Sequence, residues 1–250
     1  MEIENRIVKA SFRECPLSER EKFSKSSCLM PISIGQEVHE GDKFTAVLKL
    51  VNRNFSKCTI LIDDTVQRHT LAIIQNESST KELYNEALRQ GSEWLVKYLP
   101  EIEQHFDIPF SIIRWNKWLN HNDFQNSLNQ IKQSYNADPE YRNAIDENIN
   151  DFLTRYQKKH GSSNFDWKIG EALCFNYLIE ECAAMCLWIE ENCEYELYPS
   201  GRNKAMTATY KRFIEPKAPN LLISVALRFK KYGKKLAVTN SQETMIACSL

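Results

Sequence analysis

The sequence predicts an α/β fold: a mostly parallel sheet of about five strands flanked by helices. Short apolar runs alternate along its 250 residues with longer segments in which apolar residues recur every three or four positions. Only seven glycines and eight prolines interrupt the chain, which favours long helices. Because no repeat, low-complexity tract or linker divides the chain, we expect a single domain over residues 1–250.

Four apolar runs have the length and composition of strands that are buried on both faces. These are CLMPIS, CTILID, IPFSIIRW and LLISVALRF, at 28–33, 58–63, 108–115 and 221–229, with EYELYP at 194–199 as a fifth candidate. Apolar periodicity predicts helices at 39–52, 79–99, 122–134, 138–160 and 165–191, the fourth of them capped by Asp138-Pro139. Ligands of such sheets bind beyond the carboxyl ends of the strands, where Ser33 and Asp63-Asp64 lie.

The overall composition gives no strong electrostatic preference. A formal net charge of -1 would not steer the protein towards nucleic acid or an anionic membrane, so any contact with nucleic acid must be local. The N-terminus lacks an apolar leader, and no uninterrupted apolar stretch is long enough to span a bilayer. These features predict a cytoplasmic protein without a membrane partner.

The cysteines and the missing nucleotide motifs predict that the protein uses neither a metal nor another cofactor. Cys174, Cys182, Cys186 and Cys193 follow a helical pattern without a C-x-x-C pair, which favours buried thiols over a metal site. There is no G-x-G-x-x-G or Walker sequence to bind a nucleotide. FSKSS, at 23–27, is similar to the KMSKS loop of class I aminoacyl-tRNA synthetases, but it precedes the first strand and no HIGH motif accompanies it.

FNYLIEECAAMCLW, at 175–188, is an apolar segment that carries two adjacent carboxylates. At about 100° per residue, Glu181 projects with Tyr177 from the side that should be buried, whereas Glu180 belongs to the solvated side. An unpaired buried carboxylate costs on the order of several kcal/mol or takes up a proton. Glu181 therefore needs either a structural ion pair with a lysine or arginine, or a pocket in which it and Tyr177 bind a ligand's ammonium.

PISIG, at 31–35, differs from the G-x-S-x-G nucleophile elbow in having Pro31 in place of the first glycine. None of the five histidines lies in the C-terminal third, where a hydrolase of this kind usually has its base. Ser33 is therefore either a nucleophile without a histidine base, or a turn or helix cap at a strand end. The basic clusters at 155–159 and 230–235 are either solvated surface or phosphate contacts.

Four segments, taken together and in this order, resemble the tRNA-dependent cyclodipeptide synthases. They are PISIGQ with Ser33, ILIDDTVQRHTL at 60–71, the Tyr177-x-x-x-Glu181 helix, and ELYP at 196–199. Gln36 and Tyr198-Pro199 resemble the subgroup of that family that has Tyr-Pro in the last motif.

The resemblance implies a Rossmann-like domain similar to the catalytic domain of class I aminoacyl-tRNA synthetases. It implies an aminoacyltransferase that joins amino acids from two aminoacyl-tRNAs into a cyclodipeptide, through aminoacyl and dipeptidyl esters on Ser33. By the same analogy Tyr177 and Glu181 hold the α-ammonium, and Tyr198 relays protons during cyclisation. An aminoacyl ester is already activated, so a serine without a histidine base is chemically reasonable.

The resemblance also suggests how the substrates bind. The substrate pocket would include Leu29, Pro31, Gln36, Asp63, Gln67 and Pro199. The tRNA would dock on a weakly basic surface formed by Lys81, Arg89 and Lys97, and the protein would act as a monomer. Asp63, Asp64, Gln67, Arg68 and His69 serve either the site or the attachment of their loop to the sheet. A non-catalytic tRNA-binding module and an α/β serine hydrolase are the alternatives.

Overall fold

The computed structural model describes residues 6–75, 80–160 and 166–233. Within these ranges six strands form one sheet, in the order β1-β6-β5-β2-β3-β4. The pairs β6-β5, β5-β2, β2-β3 and β3-β4 are parallel, and β1 is antiparallel to β6. The strands are β1 Arg6–Phe12, β2 Ser27–Ser33, β3 Lys57–Asp63, β4 Phe110–Arg114, β5 Tyr195–Tyr198 and β6 Ile223–Gly233. The predicted α/β class and mostly parallel sheet are confirmed.

Helices connect the strands and cover both faces of the sheet. They are α1 Leu17–Phe23, α2 Gly41–Asn54, α3 Arg68–Gln75, α4 Leu83–His105, α5 Asn116–Leu119, α6 Phe124–Ala137, α7 Pro139–His160, α8 Trp167–Met185 and α9 Lys204–Thr209. The predicted Asp138 cap is confirmed, since its carboxylate accepts hydrogen bonds from the backbone N–H groups of Glu140 and Tyr141.

All five predicted strands and five predicted helices are present with shifted ends. The start of the helix predicted at 79–99 lies outside the described residues. The helix predicted at 165–191 ends at Met185 and is followed by a 3₁₀ turn, Trp188–Glu191. The sequence reading missed the edge strand β1 and the short helices α1, α3, α5 and α9, because brief elements carry little periodic signal.

Side chains of β2 alternate between two apolar clusters, one on each face of the sheet. Met30 and Ile32 pack with α2 and α4 residues such as Phe44 and Trp94. Leu29 faces the opposite side, in a cluster that includes Trp115. Burying each such side chain contributes roughly 1.5 to 3 kcal/mol, so the register of this central strand is strongly specified.

α8 lies inside the helical layer on the second face. It contacts α3, α6, α7 and α9, and a helix covered on so many sides is apolar all round. The segment Trp167–Glu191 is long and apolar enough to cross a membrane by length and composition alone, but 61% of its most apolar window is buried inside the protein. We therefore interpret it as a core helix, in which Glu180 is buried and Glu181 is partly buried.

Candidate active site

Ser33 is the last residue of β2, at the carboxyl edge of the sheet. The chain turns directly after it, with the Gln36 N–H donating to the Ser33 carbonyl over 3.3 Å. Gly35 has a φ of +79° in this turn, a conformation that glycine adopts without the strain of a Cβ. The turn leaves Ser33 at the end of a buried strand, only 8% exposed, with its side chain facing a cavity.

Pro31 accounts for the space beside Ser33. β2 pairs with β5 at Cys28 and Leu29 and no further, although β5 continues to Tyr198. Proline has no N–H to donate, so the β2–β5 ladder cannot continue regularly at this position. The strands separate there, and the Tyr198 hydroxyl lies 3.0 Å from the Ser33 Oγ.

His39 is a neighbour of Ser33 that the sequence reading did not assign to the site. Its Nδ1 accepts the backbone N–H of Ser33 over 3.0 Å, so this nitrogen is engaged with the main chain and not with the hydroxyl. Burial lowers the pKa of His39 to about 4, which keeps the imidazole neutral. His39 supports the strand end, and the arrangement differs from a Ser-His dyad.

Tyr177 and Glu181 project from α8 into the same cavity, as the helical projection predicted. The Tyr177 hydroxyl lies 3.5 Å from Glu181 Oε1, and the Asn203 amide donates to Oε2 over 3.4 Å. Burial is the main cause that raises the pKa of Glu181 to about 7. None of the ion pairs of the described residues includes Glu181. The structure therefore does not support the alternative in which Glu181 forms a structural ion pair with a lysine or arginine.

The structural ion pair belongs to the neighbouring Glu180, which corrects the prediction of a solvated side chain. Glu180 is 6% exposed, because α8 is covered on this side as well. The two nitrogens of the Arg68 guanidinium bond its two oxygens, and the Trp115 indole N–H donates to Oε1 over 2.9 Å. Burial raises the pKa of Glu180, but hydrogen bonds from His69 and Arg68 outweigh this and lower its pKa overall.

Glu180→Gln should therefore destabilise the fold. The variant leaves the Arg68 guanidinium buried without its counter-charge, and breaking such a pair costs about 3 kcal/mol. Chemical denaturation of the two proteins measures the difference. Glu190→Gln is the matched control, because Glu190 contacts His121 at the surface and should change the free energy of unfolding by less than about 0.5 kcal/mol. Equal effects of the two substitutions would contradict the structural role of Glu180.

The segment after β3 divides into anchoring and site-facing residues. Asp64 is paired with Arg114 at 2.5 Å, and Arg68 and His69 contact Glu180. These three residues tie the segment to the rest of the fold. Asp63 and Gln67, by contrast, line the cavity.

The cavity has a volume of about 270 Å³ and is lined by both polar and apolar residues. Eight of the predicted site residues line it: Pro31, Ser33, Gln36, Asp63, Gln67, Tyr177, Glu181 and Tyr198. Residues that the sequence reading did not single out include Ile73, Ile149, Phe152, Leu178, Glu196 and Asn203. Their contribution depends on α3, α7, α8, β5 and α9 converging, which no local sequence pattern reveals.

Two predicted pocket residues lie elsewhere. Leu29 faces the same side of β2 as Ser33 but deeper, where it is fully buried in the apolar cluster with Trp188. Pro199 is buried at the end of β5, and its carbonyl accepts the Leu227 N–H over 3.1 Å. Core packing therefore covers the Leu29 side chain, and the Pro199 backbone is hydrogen-bonded to β6.

Glu196 is a buried carboxylate in the cavity wall that needs its own cation. Arg202 Nε donates to Glu196 Oε2 over 2.7 Å, and its guanidinium stacks on Tyr210. Burial nevertheless raises the pKa of Glu196. The negative charge of Glu196 adds to the forces that raise the pKa of Glu181.

The solved structure of a CDPS, or cyclodipeptide synthase, from Fluoribacter dumoffii is 52% identical in sequence to this chain. The likeness covers 91% of this chain and 100% of the other, with a TM-score of 0.86. This chain belongs to the cyclodipeptide synthase family. The predicted family and its class of activity are thereby confirmed, while membership of the Tyr-Pro subgroup stays a prediction.

More distant structures share the fold of this synthase. One is a cyclodipeptide synthase from Candidatus Glomeribacter gigasporarum bound to Phe-tRNAPhe, 21% identical, with a TM-score of 0.67 over 88% of this chain and 93% of the other. Another is a Mycobacterium tuberculosis protein whose structure demonstrates that cyclodipeptide synthetases are related to type I tRNA synthetases. It is 10% identical to this chain, with a TM-score of 0.55 over 93% of this chain and 96% of the other. The predicted synthetase-like fold is confirmed. No protein-family model and no curated protein sequence matches the chain.

The three basic residues predicted to dock tRNA lie on or just before α4. Arg89 is held by two carboxylates of its own helix, Glu86 and Glu93, and Lys97 lies 3.8 Å from a carboxylate oxygen of Glu40. Lys81 precedes the first residue of α4. The surface of the synthase here therefore carries both signs of charge, and contact with phosphates would have to displace the carboxylates.

Proposed function

We propose that Ser33 carries the growing product as an ester, through two aminoacyl-tRNA substrates, until a 2,5-diketopiperazine is released. The main support is the 3.0 Å contact between the Ser33 and Tyr198 hydroxyls in the cavity that also holds Tyr177 and Glu181. A family relative bound to Phe-tRNAPhe supports aminoacyl-tRNA as the substrate class.

In the first step the Ser33 Oγ attacks the carbonyl carbon of an aminoacyl-tRNA ester. The new bond joins Oγ to this carbon, and the bond to the ribose oxygen breaks. The proton of the serine hydroxyl must leave, and the departing ribose oxygen must gain one. The free tRNA then dissociates and leaves an aminoacyl ester on the enzyme.

In the second step the α-amine of the aminoacyl-enzyme attacks the ester of a second aminoacyl-tRNA. A peptide bond forms, the bond from the carbonyl carbon to the second ribose oxygen breaks, and this oxygen gains the proton that the amine loses. The second tRNA leaves, and a dipeptidyl ester stays on Ser33. The terminal amine of this dipeptide then attacks the ester carbonyl, which closes the ring and releases the Ser33 oxygen. Tyr198, whose hydroxyl contacts this oxygen, gives its proton to it and takes up the proton that the attacking amine loses.

Glu181 is the binding group for the α-ammonium of the bound amino acid. Glu181 is partly buried, burial raises the pKa of its carboxyl, and it has no cation of its own among the ion pairs of the described residues. A positive ligand group at this position restores the charge balance that the site lacks. Tyr177 and Asn203 orient the carboxylate through their contacts with its two oxygens.

The remaining features follow the same proposal. Pro31, Gln36, Asp63 and Gln67 line the substrate cavity, and Lys81, Arg89 and Lys97 meet the tRNA backbone. We propose further that the chain is a single domain, acts as a cytoplasmic monomer without a metal or cofactor, and belongs to the Tyr-Pro subgroup. Tyr198-Pro199 and Gln36 support that subgroup.

Incubation of the purified protein with aminoacyl-tRNA tests the proposal. Intact-protein mass spectrometry should show a mass gain of one aminoacyl group with release of free tRNA, and the medium of an expressing bacterial culture should contain diketopiperazines. Salt-sensitive tRNA binding without an adduct would indicate a binding module instead. Turnover of simple esters without tRNA, with labelling by a fluorophosphonate, would indicate a hydrolase.

A further inference from the structure

The acylation of Ser33 needs a group that accepts the hydroxyl proton, and the nearby imidazoles do not provide it. His39 Nδ1 is bonded to the Ser33 main chain. His69 Nε2 lies 3.3 Å from Glu180 Oε2, and neither histidine is among the described residues that line the cavity. The acceptor must therefore be a different group that lies against the serine side chain.

Asp63 is placed beside Ser33 by the register of the sheet. The two residues are direct partners in the parallel β2–β3 ladder, in which neighbouring strands lie about 4.8 Å apart. Paired side chains project from the same face, and both residues line the cavity. A side-chain interaction with Ser33 acts on the Asp63 carboxyl and favours its ionised form.

The Asp63 carboxyl is also free to act. Asp63 is 4% exposed, and its Oδ1 has no hydrogen-bond partner among the described residues. Its buried neighbours differ, since Asp64 is paired with Arg114 and Glu196 with Arg202. In the part of the chain that the structure describes, the ion pairs leave Asp63 without a cation. Structural anchoring therefore accounts for Asp64 and Glu196 but not for Asp63.

We propose that the Asp63 carboxylate accepts the proton of the Ser33 hydroxyl during acylation and passes it to the departing ribose oxygen. This rests on the proposed role of Ser33 as the nucleophile. As Oγ forms its bond to the substrate carbonyl carbon, the O–H electron pair stays on Oγ and the proton moves to Asp63. As the ester bond breaks, the same proton moves to the ribose oxygen, so Asp63 ends in its starting state and no further reactant is needed.

The electrostatic surroundings strengthen Asp63 as a base. Burial, followed by the negative charges of Glu181, Asp64 and Glu196, raises the pKa of Asp63 well above its usual value. A carboxylate with a raised pKa holds a proton more tightly, which matches general-base catalysis near neutral pH better than an ordinary aspartate does. The raised pKa favours the protonated form of Asp63 before substrate binds. The incoming α-ammonium offsets the repulsion and lowers this pKa, which favours the carboxylate that accepts the Ser33 proton.

Single-turnover acylation of Asp63→Asn, followed by rapid quenching and intact-protein mass spectrometry, tests this role. Asparagine keeps the shape and a hydrogen-bonding oxygen but cannot accept the proton. We expect the acylation rate to fall by about 10² to 10⁴-fold while tRNA affinity stays close to the wild type and the melting temperature does not fall. Asp42→Asn, an exposed carboxylate in the first turn of α2, is the matched control and should acylate at the wild-type rate.

A second variant separates catalysis from packing. Asp63→Ala should be slow in the same way, and added formate, a small carboxylate, should restore its rate by at least about 10-fold without accelerating Asp63→Asn. Acylation of Asp63→Asn within about 3-fold of wild type would overturn the proposal, and so would a slow Asp63→Ala that formate does not rescue. Absence of an adduct on the wild-type protein would instead reject the nucleophilic role of Ser33.

Discussion

Ser33→Ala should abolish cyclodipeptide formation and the aminoacyl-enzyme adduct together. The variant removes the oxygen that carries every covalent intermediate, so we expect product to fall by roughly 10³-fold or more. The contacts of Ser33 that support the fold are made by its main chain, with His39 and Gln36, and survive the substitution. The melting temperature should therefore stay close to the wild-type value. Quantitative mass spectrometry of diketopiperazines and of the intact protein measures both effects.

The control for this experiment is Ser24→Ala, which removes an exposed hydroxyl in the turn after α1. It should leave product yield unchanged. A Ser33→Ala protein that still forms product at the wild-type rate would refute the covalent route. Tyr198 and the ammonium-binding residues would then have to act directly on tRNA-bound substrates.

Glu181→Gln should reduce kcat/KM by about 100-fold, because the amide cannot balance the α-ammonium in a partly buried site. Since the pKa of Glu181 is about 7, its charged form becomes more abundant as the pH rises from 6 to 8. The ratio of wild-type to variant kcat/KM should rise over this interval and level off above it. Steady-state kinetics at several pH values measures the ratio. Glu171→Gln, which alters an exposed carboxylate on the same helix, should behave as the wild type. A ratio near one at every pH would contradict the ammonium-binding role.

Glu181→Gln should reduce activity but increase the stability of the fold at pH 8. The folded-state pKa of Glu181 lies above the usual value of 4.5, so the folded protein holds its proton more tightly than the unfolded chain. Its contribution to stability is therefore lost as the pH rises from about 4.5 through about 7. Glutamine carries no charge to bury. At pH 8 the free energy of unfolding of Glu181→Gln should therefore exceed that of the wild type by about 1 to 3 kcal/mol, and the variant should unfold at a higher denaturant concentration. Loss of stability at that pH would show that the carboxylate is anchored by a cation.

Two adjacent glutamates show the limit of a helical projection. The projection placed Glu181 in the interior correctly and Glu180 in solvent wrongly, because it assumes that one side of the helix is exposed. α8 is enclosed by α3, α6, α7 and α9, so both sides are buried. Arg68, which pairs with Glu180, is remote in sequence, and no spacing rule links the two residues.

The sequence by itself determined the order of strands and helices, because apolar periodicity is a local property. It also determined the position of Ser33 at a strand end and the shared face of Tyr177 and Glu181, which follow from strand and helix geometry. Tertiary structure alone decided which carboxylates have cations. It left Asp63 beside Ser33, paired Glu196 with Arg202, and enclosed Leu29 in the core. These outcomes depend on contacts between distant segments, since the free energy of a buried charge is set by the groups that surround it in space.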